Sequence, residues 1–518
     1  MLIEELKHTF TNVMNIRKMS TRTYRDAINA LNTLQSNFAS IEAMKKLGPN
    51  VNRNELSINE VREYTKRLGY KPSDFNKLNI IHVTGTKGKG STCAFTESIL
   101  KQYQLQSQGI NKIGLYTSPH LKSVRERIRI DGKPIDKDLF TKYFFQVWDK
   151  LTTTQSDPEE WPTLQPSNEV KPMYFKYLTV LSFHVFLQEG VDTAIYEVGV
   201  GGTFDSTNIV EKPTVTGISA LGIDHTFMLG NTIESITDNK TGIFKQDSPA
   251  FVSEQFEYPQ SHKQIEKRAK ELKVKSLEFV NSKQLPEVEL GLSGDFQKEN
   301  ATLAVRLADA HLQALGIDSG LQLGENIVIK TLPEAFITGL KDVDWPGRCQ
   351  IIDDKPKGIT WYIDGAHTIE SINASSTWFK QEQILQPPKK KILLFNQQGR
   401  DNYEELLTKL HQVICVNDPQ IKFDEVIFTT NTTWSTGQYN SELVSKNTSE
   451  DAVKKLEIQN KFSELWEKLD GDHSERHVFP DIETAVEYIK RQDQVNVFVC
   501  GSLHLVGGFL VVLDNERD

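Results

Sequence analysis

The sequence predicts an α/β protein with two domains, the first built on a mostly parallel sheet and the second a smaller, Rossmann-like α/β unit. Three observations support this fold class. A glycine-rich loop stands between an apolar strand and a helix near residue 85, later apolar strands end in polar residues, and the strand-and-loop pattern starts afresh after residue 342. Alternating strands and helices are typical of parallel sheets covered by helices. With 518 residues, the chain is long enough for two or three domains.

The composition excludes several classes of protein. A net charge of −9 argues against a nucleic-acid scaffold, because such proteins neutralise phosphates with Lys and Arg. The four cysteines lack C-x-x-C spacing, which indicates reduced thiols and no zinc site. No uninterrupted apolar stretch reaches the roughly 18 residues that a membrane span needs. We therefore expect no nucleic-acid partner and no transmembrane segment.

The first nineteen residues read as an N-terminal extension. Met1, Met14 and Met19 could each begin a chain. The extension contains Glu4 and Glu5, whereas a mitochondrial leader should be poor in acids. We expect a cytoplasmic protein, with a mitochondrial form left open.

The first domain is expected to cover residues 20–342. Apolar residues at helical spacing predict a helix and a loop over 23–47 and a second helix over 58–68, before a turn at Pro72-Ser73-Asp74. An apolar run at 78–81 opens the first strand.

The glycine-rich loop is Gly85-Thr86-Lys87-Gly88-Lys89-Gly90-Ser91, and a helix follows it. Glycines let backbone N–H groups approach an anion, a helix N-terminus offers unpaired donors, and lysine supplies charge, so the loop predicts a phosphate site. It departs from the common G-x-x-x-x-G-K-[ST] pattern, because Gly90 stands where a metal-binding hydroxyl is usual. A metal ion should therefore draw its ligands from elsewhere. A glycine-rich turn alone is often only a tight turn, but the flanking strand and helix favour phosphate.

Three further strands end in polar residues that suit a metal site. The strands at 112–116, 193–196 and 214–220 lead to Ser118, Glu197 and His225. Ligands of open α/β sheets bind at the carboxyl ends of the strands. Serine and glutamate oxygens suit Mg²⁺, whereas histidine is a better ligand for transition metals. Taken singly, each residue has an ordinary structural explanation, but together they indicate one site.

The remaining elements complete the alternation. The pattern predicts an irregular insertion at 151–172, helices at 174–188, 233–240 and 300–315, and a strand at 250–253. After a boundary near 341–344, it predicts strands at 360–363, 392–395, 425–428 and 495–499 and a helix at 452–469. These last elements form the second domain, residues 343–518. It presents Arg348, Asp364 and His367, which suggests closure over a nucleotide.

A site rich in phosphate donors and metal ligands, without an evident serine or cysteine triad, favours phosphoryl transfer. In that chemistry, positioning and charge neutralisation carry most of the catalysis. Composition does not decide whether the acceptor is water, a hydroxyl or a carboxylate.

Seven motifs resemble one family closely and keep its order over about residues 20–510. They are Thr84-Gly85-Thr86-Lys87-Gly88-Lys89-Gly90-Ser91, Tyr116-Thr117-Ser118-Pro119-His120, Glu197-Val198-Gly199-Val200-Gly201-Gly202, Gly222-Ile223-Asp224-His225, Trp345-Pro346-Gly347-Arg348, Asp364-Gly365-Ala366-His367 and Gly501-Ser502-Leu503-His504-Leu505-Val506-Gly507. They resemble the folylpolyglutamate synthetases, members of the Mur-ligase-like superfamily. Residues 30–37 resemble the eukaryotic branch, which favours polyglutamylation and a fungal-type enzyme.

The resemblance implies an ATP-dependent ligase of one-carbon metabolism. ATP would phosphorylate the terminal carboxylate of a reduced folate, and the amine of L-glutamate would then form a γ-linked amide. Residues 85–91 would hold the ATP phosphates, with Lys89 catalytic, and Ser118, Glu197 and His225 would bind Mg²⁺. A monovalent cation such as K⁺ is a further candidate. The substrates would be ATP, a reduced folate and L-glutamate, and we expect a monomer.

Other site residues are carried over by motif alone. Gln297 and Asn300 match a Q-x-x-N helix near the nucleotide, while Arg348, Asp364 and His367 would reach it from the second domain. Lys240 matches a lysine that the family carboxylates, here an N6-carboxylysine that would join His225 and His367 as a catalytic group. The pterin contacts are expected at Tyr174, Phe175, Phe204 and Asp205.

Two departures leave the folate pocket and the surroundings of the nucleotide less defined. Thr203 stands where many bacterial relatives carry a basic residue, and Gly294-Asp295-Phe296 replaces a more usual Gly-x-His. Dihydrofolate synthase, alone or in a bifunctional enzyme, remains an alternative. A nucleotide-binding switch without the chemistry is the rival from another class, but it would be expected to lack Lys89, Glu197 or His225.

Overall fold

The structure is a computed structural model. It describes residues 22–35, 53–161, 164–165, 171–398, 402–437, 440–443, 453 and 455–517. The predicted extension at 1–19 and the part of the predicted helix and loop beyond residue 35 lie outside these ranges. Within them, no helix combines the length and the apolar composition needed to cross a membrane.

The first sheet has eight strands. In chain order they are β1 Ile80–Thr84, β2 Ile113–Tyr116, β3 Ile128–Ile130, β4 Lys133–Pro134, β5 Thr193–Glu197, β6 Val215–Ile218, β7 Pro249–Ser253 and β8 Ser276–Val280. Their order in the sheet is β4-β3-β2-β5-β1-β6-β7-β8, and only the β2–β3 and β3–β4 pairs are antiparallel. The prediction of a mostly parallel sheet is confirmed.

Helices cover both faces of this sheet. They are Tyr24–Thr33, Arg53–Arg67, Lys89–Leu105, Lys137–Thr153, Tyr174–Gln188, Thr226–Leu229, Ile233–Lys240, Ser261–Glu271, Gln297–Ala314 and Glu334–Lys341. Successive strand residues point to opposite faces, so Ile80 joins a core rich in aromatic side chains and Ile81 joins an aliphatic core. The aromatic core lies under the Lys137–Thr153 and Tyr174–Gln188 helices.

The element bounds follow the prediction closely, with local differences. The Tyr174–Gln188 helix has the predicted bounds. The first strand begins at Ile80 because Asn79, with a φ of 44°, ends a short 3-10 helix over Pro72–Leu78. The predicted irregular insertion starts later than residue 151, because the preceding helix continues to Thr153.

The second domain has its own sheet. Its strands are β11 Gln350–Asp354, β12 Ile359–Ile363, β13 Lys390–Phe395, β14 Glu425–Thr429, β15 Glu475–Phe479 and β16 Val495–Cys500, after a separate hairpin of β9 Gln322–Leu323 and β10 Ile329–Thr331. The order is β11-β12-β16-β13-β14-β15, parallel except for the β11–β12 pair. The flanking helices are Ile369–Leu385, Tyr403–His411, Glu457–Asp470, Ile482–Lys490 and Leu503–Leu513. The predicted second α/β unit is therefore present.

Candidate active site

The glycine-rich loop joins β1 to the Lys89–Leu105 helix, as the sequence predicts. Gly88 forms the N-cap with a φ of 81°, and a Cβ on it would lie 2.1 Å from Oδ1 of Asn300. A Cβ on Gly85 would lie 1.9 Å from Oγ of Ser219. Glycine is required at both places because neighbouring side chains fill the space that a side chain would occupy. The loop is thus shaped to keep its backbone open at a helix N-terminus, where anions bind.

The two lysines of the loop point to different neighbours. Lys87 Nζ lies 3.4 Å from a carboxylate oxygen of Glu370 in the second domain and 3.9 Å from Glu257. Lys89 Nζ is 3.5 Å from the carbonyl oxygen of Thr86, and its charge acts on the buried Glu197. Lys89 therefore lies on the side of the loop that faces the predicted metal ligands.

Ser118 and Glu197 come together at the ends of neighbouring parallel strands. The backbone N–H of Ser118 donates to Oε2 of Glu197 over 3.0 Å, and a Cβ on Gly90 would lie 3.7 Å from that oxygen. Burial raises the pKa of Glu197, while the positive charge of Lys89 opposes the shift. A buried carboxylate beside a phosphate loop and a serine suits a divalent cation, which takes oxygen ligands from protein and phosphate.

His225 is more exposed than the buried Glu197. It lies seven residues beyond the end of β6, has a φ of 51°, and opens the short Thr226–Leu229 helix. Its side chain is 46% exposed, and its Nε2 is 3.8 Å from a carboxylate oxygen of Asp224. The convergence of all three predicted ligands therefore stays a prediction. The sequence analysis gave Asp224 no role, but its carboxylate lies beside the ring.

Lys240 reaches the phosphate loop from the end of the Ile233–Lys240 helix. Its Nζ donates to the carbonyl oxygen of Gly85 over 2.7 Å, and the residue is only 3% exposed. Burial, aided by the charge of Lys89, lowers the pKa of Lys240 well below its ordinary value. A neutral amine is the form that can add carbon dioxide, so the environment is compatible with the predicted carboxylation.

Gln297 and Asn300 meet the loop from the start of the Gln297–Ala314 helix. The amide of Asn300 donates to Oε1 of Gln297 over 2.8 Å, and both side chains are buried. The Nε2 of Gln297 is buried without a hydrogen-bond partner among the described residues. The Q-x-x-N pair therefore packs directly on the Gly88 turn.

Of the predicted residues Arg348, Asp364 and His367, Arg348 lines a cavity together with residues of the first domain. Asp364 is buried, and its carboxylate accepts from the backbone N–H groups of Cys349 (2.8 Å) and Ala366 (2.9 Å). Burial raises the pKa of Asp364, and the charge of Arg348 opposes this. The charge of Arg348 also acts on Glu197 in the first domain. His367 is hydrogen-bonded through Nδ1 to the carbonyl oxygen of Gly365 over 2.7 Å.

Among the predicted folate residues, Tyr174 and Phe175 contribute aromatic rings, whereas Asp205 binds backbone groups. The guanidinium of Arg127 lies 5.5 Å from the ring centre of Tyr174, and Phe175 packs so closely on Gly199 that a Cβ there would be 2.3 Å from its ring. Asp205 is buried, and its carboxylate accepts from the N–H groups of Gly199 and Val200 at 3.1 and 3.0 Å. Asp205 thus fixes the glycine-rich segment after β5, while Phe204 is half-buried beside it.

A cavity of about 150 Å³ lies between the two domains next to Ser118. Its walls include Thr117, Lys122, Arg129, Trp345, Arg348 and Leu503. The guanidinium of Arg129 stacks on Trp345 at 4.7 Å, and its Nε is buried without a hydrogen-bond partner among the described residues. The cavity therefore presents cationic and aromatic groups, together with the carboxylate of Glu126, which accepts from the backbone N–H groups of Leu121, Lys122 and Ser123.

Arg127, Arg129 and Trp345 are site residues to which sequence reasoning gave no role. Arg129 belongs to β3, an antiparallel edge that the apolar pattern does not reveal because arginines interrupt it. A signal was available for Trp345, since it stands in the Trp345-Pro346-Gly347-Arg348 motif at the domain boundary.

The chain is similar to known proteins in sequence. A family model described as "Dihydrofolate synthetase, C-terminal domain" matches residues 348–512. A "Folylpolyglutamate synthase" of Candida albicans is 73% identical over 515 residues, covering 98% of this chain and 99% of the relative.

Solved structures are similar in fold. A Mycobacterium tuberculosis folylpolyglutamate synthase complexed with ADP has a TM-score of 0.67 at 21% identity, covering 95% of this chain and all of that chain. A bifunctional folylpolyglutamate synthase/dihydrofolate synthase from Yersinia pestis, complexed with AMPPNP and Mn ion, has a TM-score of 0.60 at 23% identity and covers 93% of this chain and 99% of its own.

Proposed function

The chain belongs to the folylpolyglutamate synthase family, and we propose that its phosphate loop, Ser118 and Glu197 form the site where a folate carboxylate is activated. The enzyme is an ATP-dependent ligase that adds L-glutamate in γ-linkage to reduced folyl-polyglutamates. One observation supports the location above all others. The Ser118 amide and the Glu197 carboxylate are hydrogen-bonded beside the glycine-rich loop, at the carboxyl ends of adjacent strands.

The reaction needs activation because a carboxylate is a poor acylating agent. In the proposed sequence, a γ-carboxylate oxygen of the folate attacks the γ-phosphorus of ATP, and ADP leaves. The amine of L-glutamate then attacks the acyl carbon of the resulting acyl phosphate. The carbon–oxygen bond to the phosphate breaks, so phosphate leaves with one oxygen from the folate, and the amine loses a proton as the amide forms.

The residues fit a divalent cation. Ser118 and Glu197 would hold it, and His225 would complete the set if its loop turns toward them. When bound, the cation neutralises phosphate charge and polarises the transferred phosphoryl group. Lys89, whose charge already acts on Glu197, would stabilise the same developing charge from the loop side. The other residues of the loop would bind the phosphates through backbone N–H groups.

Lys240 would carry its modification next to the phosphate loop. The buried amine 2.7 Å from the carbonyl oxygen of Gly85, with its pKa lowered by burial, supports carboxylation, because only an uncharged amine attacks carbon dioxide. The product would place an anion near the metal site. His367 and Arg348 would approach the nucleotide from the second domain.

The two organic substrates would occupy opposite faces of the sheet. Tyr174 and Phe175 belong to the aromatic face and suit a pterin ring. Trp345 packs on the other face, and its Nε1 would be 3.3 Å from a Cβ on Gly90. We therefore assign the cavity with Arg129 to free L-glutamate, whose carboxylate the guanidinium would bind.

Dihydrofolate synthase activity is the second candidate, because the matched family model carries that description. A product assay with ATP and labelled glutamate separates the two functions. Tetrahydrofolate as acceptor, resolved by chain length, should give products extended by one or more γ-glutamates. Turnover of dihydropteroate alone would make the protein a dihydrofolate synthase, and turnover of both acceptors would make it bifunctional.

Three finer expectations belong to the proposal. K⁺ would raise activity as a second ion, which a potassium titration at constant ionic strength measures. The enzyme would be a monomer by sedimentation. It would reside in the cytoplasm, and microscopy of the full chain with a C-terminal tag would detect a mitochondrial form.

A further inference from the structure

A short segment of the second domain, residues 440–443, docks onto the first domain through Glu442. One carboxylate oxygen, Oε2, accepts from the hydroxyls of Tyr24 and Ser123 and from the N–H of Val124, each over 2.8 Å. These donors lie on two separate parts of the first domain, the Tyr24–Thr33 helix and the loop of residues 117–127. A carboxylate that collects three donors makes charge-assisted hydrogen bonds, which are stronger than neutral ones.

The backbone of Glu442 contacts the same loop a second time. Its carbonyl oxygen is 2.8 Å from Nε2 of His120, and the Nδ1 of that ring is 2.9 Å from Nε of Arg127. An arginine Nε can only donate, so Nδ1 must accept and Nε2 must carry the proton. In this chain of hydrogen bonds, Arg127 donates to the ring of His120, and the ring donates to the carbonyl oxygen of Glu442.

The loop is also packed into the second domain on another side. Leu121 joins the core that contains Leu443 and Val506. A Cβ on Gly507 would lie 2.0 Å from the carbonyl oxygen of Leu121, so only glycine fits there. Lys122 forms ion pairs with Asp514 (2.7 Å) and Glu516 (2.9 Å). Residues of the second domain thus hold the loop along most of its length.

The loop carries groups of the active site at both ends. Ser118, bonded to Glu197, opens it, and Arg127, stacked on Tyr174, closes it. A shift of the loop would move the predicted metal ligand and the predicted folate neighbour together.

We propose that Glu442 is a positioning residue, through which the second domain holds the 117–127 loop so that Ser118 faces the metal and Arg127 faces the folate. The inference rests on the proposed roles of Ser118 and Tyr174. It assigns the second domain a part in shaping the metal and folate sites, in addition to its approach to the nucleotide.

The test compares four variants of the full-length enzyme. They are Glu442→Ala, Glu442→Gln, Ser118→Ala and, as a matched control, Glu464→Ala, an exposed glutamate of the same domain. For each, the Mg²⁺ concentration at half-maximal rate, the KM values for folate and ATP, and hydrogen–deuterium exchange over residues 117–121 are measured. Glu442→Gln keeps one acceptor oxygen and so guards against a folding failure of the alanine variant.

We expect Glu442→Ala to raise the Mg²⁺ requirement and the folate KM at least tenfold, with less change in the KM for ATP. Exchange at 117–121 should be at least tenfold faster, although Glu442 does not contact those amides directly. Glu442→Gln should be intermediate. If Glu442→Ala does not fold, Glu442→Gln tests the proposal alone. A higher Mg²⁺ requirement, a higher folate KM and faster exchange in Glu442→Gln would support it.

Two outcomes overturn the proposal and are distinguishable. If Ser118→Ala raises the Mg²⁺ requirement but both Glu442 variants behave like Glu464→Ala, Glu442 has no positioning role and the proposed function stands. If Ser118→Ala leaves the Mg²⁺ requirement unchanged, the assigned metal ligand is wrong, and the role of Glu442 fails with it.

Discussion

The amine of Lys240 lies 2.7 Å from the carbonyl oxygen of Gly85, so a buried lysine reaches into the first turn of the phosphate loop. The contact joins two segments that are 155 residues apart. It places a group of lowered pKa beside Lys89 and within the predicted ATP site. The proposed carboxylation of Lys240 can therefore be tested by replacing this residue.

Lys240→Ala should lower kcat by about 100-fold, the scale typical of losing one preorganised charged group. Formate or acetate should restore part of the rate, because a small carboxylate can replace the proposed carbamate. The control is Lys245→Ala, since Lys245 is another substantially buried lysine, with its pKa lowered to about 8 by burial. Steady-state rates with and without added carboxylate measure the effect. Equal rescue of both variants, or of neither, would contradict the assignment.

Gly88→Ala should raise the KM for ATP at least tenfold while the protein remains folded. The new Cβ would meet Asn300 at 2.1 Å, and a φ of 81° is unfavourable for alanine, at a cost of about 1–2 kcal/mol. Gly316→Ala separates the two causes, because Gly316 has a φ of 75° and nothing within 4 Å of its Cβ position. Both variants should lose stability because of the strained φ, and Gly88→Ala should lose more because of the contact with Asn300. Only Gly88→Ala should raise the KM for ATP, and an equal rise in both variants would contradict the prediction.

Arg129→Ala should raise the KM for L-glutamate about tenfold, which corresponds to about 1.4 kcal/mol of lost binding. The KM values for ATP and folate should change little, since Arg129 faces the cavity rather than the phosphate loop. Arg491→Ala, at an exposed site in the second domain, serves as the control. An unchanged glutamate KM would remove the cavity from the substrate assignment.

Glu97→Gln should stabilise the protein above pH 7 and have little effect near pH 4. Burial raises the pKa of Glu97 to about 7, from an ordinary value of 4.5. Between these values the folded protein binds more protons than the unfolded chain, so stability falls as pH rises. The penalty above pH 7 is roughly 3 kcal/mol, which glutamine lacks. Denaturant unfolding at several pH values measures it, and a difference from wild type that is independent of pH would contradict the prediction. The exposed Glu266→Gln is the control.

Much of the fold could be predicted because buried parallel strands are continuous apolar runs. The predicted strands and helices lie within a few residues of those observed, and the Tyr174–Gln188 helix coincides. The β3–β4 edge was missed because β3 has only three residues, Ile128–Ile130, and Arg129 stands at its centre. Such a strand forms only because β2 is there to pair with it, which is a tertiary effect.

Residues of the candidate site could be predicted from the sequence where they lie at or near the end of a strand. Ser118 lies two residues beyond the end of β2, and Glu197 is the last residue of β5. These strands are paired in register, so the meeting of the two residues follows from the topology. His225 lies several residues into a loop, where strand register no longer fixes position. Glu442 contacts Ser123 across 319 residues from a polar segment with no local signal. Sequence also could not tell that Asp205 and Asp364 bind backbone N–H groups of their own loops.

The central claim is that a folate carboxylate oxygen is transferred to phosphate at the Ser118–Glu197 site. The most direct measurement uses folate whose terminal γ-carboxylate carries oxygen-18, with ATP and L-glutamate, and follows the label by mass spectrometry or by the phosphorus-31 isotope shift. An acyl phosphate predicts one labelled oxygen in the inorganic phosphate for each amide formed, and Glu197→Gln should abolish both products together. Amide formation that releases only unlabelled phosphate, or that proceeds without ATP, would contradict the account.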